Sequence, residues 1–142
     1  MISCFYLDIV NINGNIFSDF VKKIHVTGSE GGLEILPKHI SFLTSIKPGM
    51  VSIMKKGNSG NEYIYLSGGI LEIYCNVVTI LADVAIRGED IDENRAIKSK
   101  ILAKENMKKF VMGSKYYMNA SVKFYEEIAK LRVVKMIKNR YK

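Results

Sequence analysis

The sequence predicts an antiparallel β-sandwich or flattened barrel over residues 1–88, followed by an antiparallel two-helix hairpin over residues 89–142. Three observations carry this reading. Short apolar runs separated by turn residues fill the first part. Ten of the eleven glycines and both prolines lie at or before Gly88. Residues 1–88 hold as many acids as bases, so the whole formal net charge of +7 falls on the remainder. A change of texture and of charge at one point marks a boundary.

The strands follow in order. Residues 4–10 form one apolar run, ended by Asn13-Gly14-Asn15. Residues 16–26 form a second, in which Val21, Ile24 and Val26 are separated by Lys22, Lys23 and His25. After Gly28-Ser29-Glu30-Gly31-Gly32 come runs at 33–36, 40–46 and 50–54, punctuated by Pro37 and Pro48-Gly49. Residues 57–61 read as a loop or hairpin tip, and runs at 63–66, 70–74 and 77–81 complete the series. About eight to ten strands at ~8–12-residue spacing suit an antiparallel sandwich or flattened barrel.

The second part reads as helix. Asp90 offers an N-cap with Glu93 three residues on, and acids at 89–93 suit the positive end of a helix dipole. A stripe of Ala96, Ala103, Met107 and Phe110 follows. Gly113-Ser114 ends this helix and caps the next. The second stripe is Val122, Tyr125, Ala129, Val133 and Met136. Two such stripes are expected to pack on each other, in helices ~30 Å long each. Lys130, Lys135, Lys138 and Lys142 are expected on the side of the second helix opposite its stripe. A cationic face of this kind suits phosphates of nucleic acid, anionic lipid, an acidic protein surface, or water alone.

Several chemistries are excluded or disfavoured. No apolar run approaches the ~18 residues of a membrane-spanning helix. The opening residues are expected to begin a strand rather than a signal peptide. Cys4 and Cys75 are too few for a disulfide framework and are expected in the core of a protein from a reduced, cytosolic compartment. His25 and His39 lack partners at metal-ligand spacing, so no metal site is expected. No serine or cysteine stands beside a credible base, so no catalytic residue is expected. Leu66-Ser67-Gly68-Gly69 has no accompanying phosphate loop and reads as a hairpin turn.

Longer segments resemble a known family. Val26-Thr27-Gly28-Ser29-Glu30-Gly31, Pro37-x-His39, and Leu43-Thr44-x-Ile46-Lys47-Pro48-Gly49 are similar to the epsilon subunit of the bacterial rotary ATP synthase. So are residues 65–72, residues 81–88, Ile91-Asp92-x-x-Arg95-Ala96 and Leu131-Arg132-Val133. The likeness runs in order along nearly the whole chain.

The resemblance implies a non-catalytic subunit of the central stalk. Its sandwich would bind the gamma subunit and stand on the ring of c subunits, which turns as protons cross the membrane and drives ATP synthesis. Ser29, Glu30, Gly31, Gly32, His39 and Thr44 would face gamma and the c ring. Gly32 stands where the family often has an acid. The helices would rise along gamma to the alpha/beta catalytic subunits, with Lys130, Arg132, Lys135 and Lys138 meeting an acidic segment of beta and slowing ATP hydrolysis. Ile91, Asp92, Arg95, Ala96 and Arg132 match positions that bind regulatory ATP in some members. Here Leu102 and lysines stand where further arginines are needed, and lysine does not reproduce the bidentate fork, so weak ATP binding or none is expected. No cofactor is required and no nucleic-acid partner is expected. Membrane association would be indirect, through the complex, on the cytoplasmic face of the bacterial cell membrane.

Overall fold

A computed structural model describes residues 3–28, 31–57 and 60–140. Nine strands come first: β1 (Phe5–Asn11), β2 (Gly14–Gly28), β3 (Gly31–Ile35), β4 (Phe42–Ile46), β5 (Gly49–Lys55), β6 (Asn61–Leu66), β7 (Gly69–Tyr74), β8 (Val77–Ala82) and β9 (Ala85–Arg87). A 3-10 turn at Gly88–Asp90 leads to α1 (Glu93–Lys109) and α2 (Lys115–Arg140). The strand order is β4-β7-β8-β1-β2-β5-β6-β9, with β3 added to β2. The end strands β4 and β9 are not paired to each other, so the sheet folds into two layers without closing.

The long strand β2 joins the layers. Its first half pairs with β1 and its second with β5 and β3, and the register slips between Val21 and Lys23. Such a bulge bends a strand. Alternation then sends one side of every strand inward. Phe5, Leu7, Ile9, Val21, Ile24, Ile35, Val51, Ile53, Ile64, Leu71 and Ile80 are buried together between the layers. One pairing departs from the antiparallel pattern: β1 and β8 run parallel, with Leu7 beside Val78 and Ile9 beside Ile80.

Several local expectations change. Ser67-Gly68 is not a hairpin turn, because β6 and β7 belong to different layers. It is a crossover, held by the Ser67 N–H donating to the Val84 carbonyl and the Val84 N–H donating to Ser67 Oγ, both at 3.0 Å. Gly69 is required there, since φ is 153° and a Cβ would lie 2.0 Å from the Leu81 carbonyl oxygen. The cysteines are not core residues: Cys4 is half-buried, and Cys75 is exposed in the β7–β8 turn, where Cys75 and Asn76 are both left-handed. Asn76 tolerates that conformation, and its side chain ties the turn to distant segments. Its side chain accepts from the Lys38 N–H and donates to the Cys4 carbonyl.

The helix cap is Asp92 rather than Asp90, which the 3-10 turn absorbs. The Asp92 carboxylate accepts from the Arg95 N–H at 3.1 Å, and no Asp92–Arg95 ion pair forms among the described residues. Ser114 caps α2 as expected, its Oγ accepting from the Tyr117 N–H. The helices are unequal, ~26 Å for the 17 residues of α1 and ~39 Å for the 26 of α2.

Candidate functional site

The two layers present different outer faces. On β5 and β6 the outward side chains are Met50, Tyr63 and Tyr65, and α2 covers them. Val133 is fully buried against these three, with Ala129, Met136, Ile137, Ile86 and Ile91 around it. Ile137 reaches over Gly88, where a Cβ would fall 1.8 Å from its Cδ1. The second-helix stripe therefore packs on the sheet through its C-terminal half, while Val122 and Tyr125 stay exposed. Helix α1 instead meets a flank of α2 through small residues, with Ala96, Ala103 and Ala120 buried.

A charged knot sits where α1, α2 and the sheet converge. Glu127 is buried and takes Lys123 at 3.0 Å and Lys130 at 3.2 Å. The Lys130 ammonium also lies 5.4 Å from the Tyr65 ring centre, a cation–π distance. Burial first, then the carboxylates of Glu126 and Glu127, hold the Tyr65 phenol above its usual range. Lys138 reaches across to Glu93 at 2.7 Å and ties the two helices.

These contacts correct the expected cationic face. Each residue advances about 100° around a helix, and Lys130 is turned from the Ala129 row toward α1, where it is largely buried. Lys138 is engaged by Glu93. Lys135 and Arg132 remain exposed without an ion pair among the described residues. Lys142 lies outside the described residues.

The residues expected to bind ATP are only partly gathered. Ile91, Asp92, Arg95 and Ala96 border one cavity of about 310 Å³, together with Asp90, Lys123, Glu127 and Lys130. Arg132 borders a different groove of about 500 Å³, with Thr27, Pro48, Val122 and Tyr125. In the first cavity Lys123 and Lys130 are already paired to Glu127, and three carboxylates border the space. Its donor set suits a triphosphate poorly, because an anion must compete with Glu127 and repel Asp90 and Asp92.

The other layer is uncovered. Register places Ile70 beside Leu81 and Leu81 beside Val10, and Tyr74 beside Val77, Tyr6 and Phe20 in a second row. Tyr6 and Phe20 make an edge-to-face pair at 5.1 Å. Ile70, Leu81, Tyr74 and Phe20 are about half exposed. Between the rows run Glu72, Thr79, Asp8 and Ser18, where the Ser18 hydroxyl donates to Asp8 at 2.6 Å. At the edge, Ile40 and Leu43 are strongly exposed. Thr44 borders a mouth of about 420 Å³ with Gly31, Gly32 and Phe42. His39 sits beside it, its ring 6.1 Å from that of Phe42. Gly31, Gly32, His39 and Thr44 therefore share one end of the sandwich, and Ser29 and Glu30 lie outside the described residues.

The sequence pattern pointed to no role for Glu127 or the Arg87–Glu62 pair, and to Glu93 only as a capping acid rather than as the partner of Lys138. Arg87 donates to Glu62 at 2.9 Å and to the Ile16 carbonyl at 2.5 Å, fastening the last strand before the helices. An acid and a lysine at i, i+3 or i+4 signal a helix pair in sequence, but not that Glu127 would be buried.

Residues 4–88 match the family described as ATP synthase, Delta/Epsilon chain, beta-sandwich domain. Among solved structures, a chain of the Euglena gracilis mitochondrial ATP synthase (OSCP/F1/c-ring, rotational state 1) is similar at 18% identity and a TM-score of 0.69, over 99% of this chain and 82% of that one. A chain of the Tetrahymena thermophila mitochondrial ATP synthase central stalk/c-ring is similar at 12% identity and a TM-score of 0.55, over 93% and 94%. At such identities these two likenesses establish the fold. The match over residues 4–88 does more: this chain belongs to the delta/epsilon-chain family of ATP synthase, a family of non-catalytic stalk subunits.

Proposed function

We propose that this chain works as an epsilon-type rotor subunit of a bacterial ATP synthase, joining the gamma subunit to the c ring during rotational ATP synthesis. The observation that carries the reading is the uncovered apolar layer, with rows Val10–Leu81–Ile70 and Phe20–Tyr6–Val77–Tyr74. Extended exposed apolar surface of this kind marks a docking face. Gamma would lie against it, and the end bearing Gly31, Gly32, His39 and Thr44 would meet gamma and the c ring. The chain would be held at the cytoplasmic membrane face through these partners.

The helices supply regulation. In the docked arrangement Glu127 and Glu93 occupy Lys130 and Lys138. If α2 rises to meet acidic residues of beta, both lysines exchange those intramolecular acids for intermolecular ones, while Arg132 and Lys135 add contacts at no such cost. Regulatory ATP would bind weakly or not at all.

Co-purification tests the reading. The wild-type chain, co-expressed with gamma and the c subunit, should be recovered with both. A Tyr74→Glu, Leu81→Glu variant should fold, judged by unchanged circular dichroism, and lose gamma. A folded variant that retains gamma would refute the assigned face.

A further inference from the structure

The contacts proposed above leave the tip of the helical hairpin unassigned. Helix α1 stops at Phe110, whose φ of −108° and ψ of 155° are extended. Gly113 then turns with φ 89°, and the Ser114 N–H donates to the Val111 carbonyl at 3.0 Å. This bonded turn holds Val111 and Met112 at the apex, each 79% exposed. Behind them Phe110 stacks on Tyr116 at 5.2 Å. Lys108, Lys109 and Lys115 flank the apex, and residues 106–125 contain no acid. All three lysines are exposed.

We propose that this tip is a contact site for an anionic lipid surface. Val111 and Met112 form an apolar point, the Phe110–Tyr116 pair stands directly behind it, and Lys108, Lys109 and Lys115 lie alongside, an arrangement that suits the acyl boundary, aromatic belt and anionic headgroups of a bilayer interface. Charge complementarity selects anionic lipid, because the local charge is positive without a compensating acid. The two exposed apolar side chains at the apex favour a bilayer, whose acyl boundary can receive them, over an acidic protein surface. The inference is independent of the rotor assignment and adds a direct membrane contact to the one made through the complex.

Vesicle flotation of the full-length chain tests it. Binding should occur on phosphatidylcholine vesicles containing about one third phosphatidylglycerol and be absent on phosphatidylcholine alone. Val111→Ser with Met112→Ser should abolish it. Lys108→Gln, Lys109→Gln and Lys115→Gln should each weaken it about fivefold. The chain has no tryptophan, so Val111→Trp supplies a single reporter whose emission should shift to the blue on anionic vesicles. No flotation, equal flotation on neutral vesicles, or flotation undiminished in the serine variant would overturn the proposal. So would a blue shift produced by an acidic polypeptide and not by vesicles, which would assign the tip to a protein partner instead.

Discussion

Truncating Val133 to alanine should open the helix from the sandwich while leaving the sandwich folded. Val133 is fully buried among Met50, Tyr63 and Tyr65, a cluster that shares no residue with the core between the layers. Removing the two methyl groups loses roughly 1.5 kcal/mol of transfer free energy. The residual cavity raises the cost to about 2 kcal/mol. The docked-to-open ratio should then fall about 30-fold. Native-state hydrogen exchange separates the outcomes residue by residue. Amides of α2 should lose protection by about that factor, while those of β1 and β8 keep theirs. If the raised helix slows hydrolysis as proposed above, the same variant in the assembled enzyme should hydrolyse ATP more slowly. Equal loss of protection in β1 and β8 would mean that helices and sandwich unfold as one unit, and the reasoning would fail. Unchanged protection in α2 would also refute it.

Three other outcomes follow from the same geometry. Glu127→Ala leaves Lys130 without its buried partner and should destabilise the docked helix by on the order of 2 kcal/mol, read as a lower urea midpoint for the helical signal. The Tyr65 phenol is held above its ordinary value, so the docked form retains its proton where the open form begins to release it. Docking should be full below about pH 10 and weaken as pH rises past it, and Tyr65→Phe should flatten that dependence of helix protection. Gly69→Ala should cost several kcal/mol, roughly the top of the point-mutant range, because its Cβ would strike the Leu81 backbone, and should yield insoluble chain in a solubility assay.

The strands were legible because alternation and turn residues are local signals. Phe5, Leu7 and Ile9 are buried at every second position, and the sequence shows that directly. The crossover at Ser67-Gly68 was not legible, since a turn between paired strands and a step between layers use the same residues. The second helix misled for a related reason. Its stripe marks an apolar face but not what covers it, and Val133 finds the sheet rather than α1. Lys130 could not be placed by helical angle alone, because the Tyr65 ring that receives it comes from a strand 65 residues earlier. Of the residues expected to meet partners, Gly31, Gly32, His39 and Thr44 converge at one end only because β3 and β4 are edge strands of different layers.

The parallel pairing of β1 with β8 has a consequence for how the chain is made. Phe5–Asn11 leaves the ribosome early, yet one of its two neighbours, Val77–Ala82, is among the last strands to emerge. Until then one edge of the N-terminal hairpin lacks its mate and resembles a template for adhesion between nascent chains. Closing so long a loop also delays the sandwich relative to the helical pair, whose contacts are local. Translation that pauses before codon 77 should therefore favour clumping, whereas a pause after the sandwich is complete should be harmless.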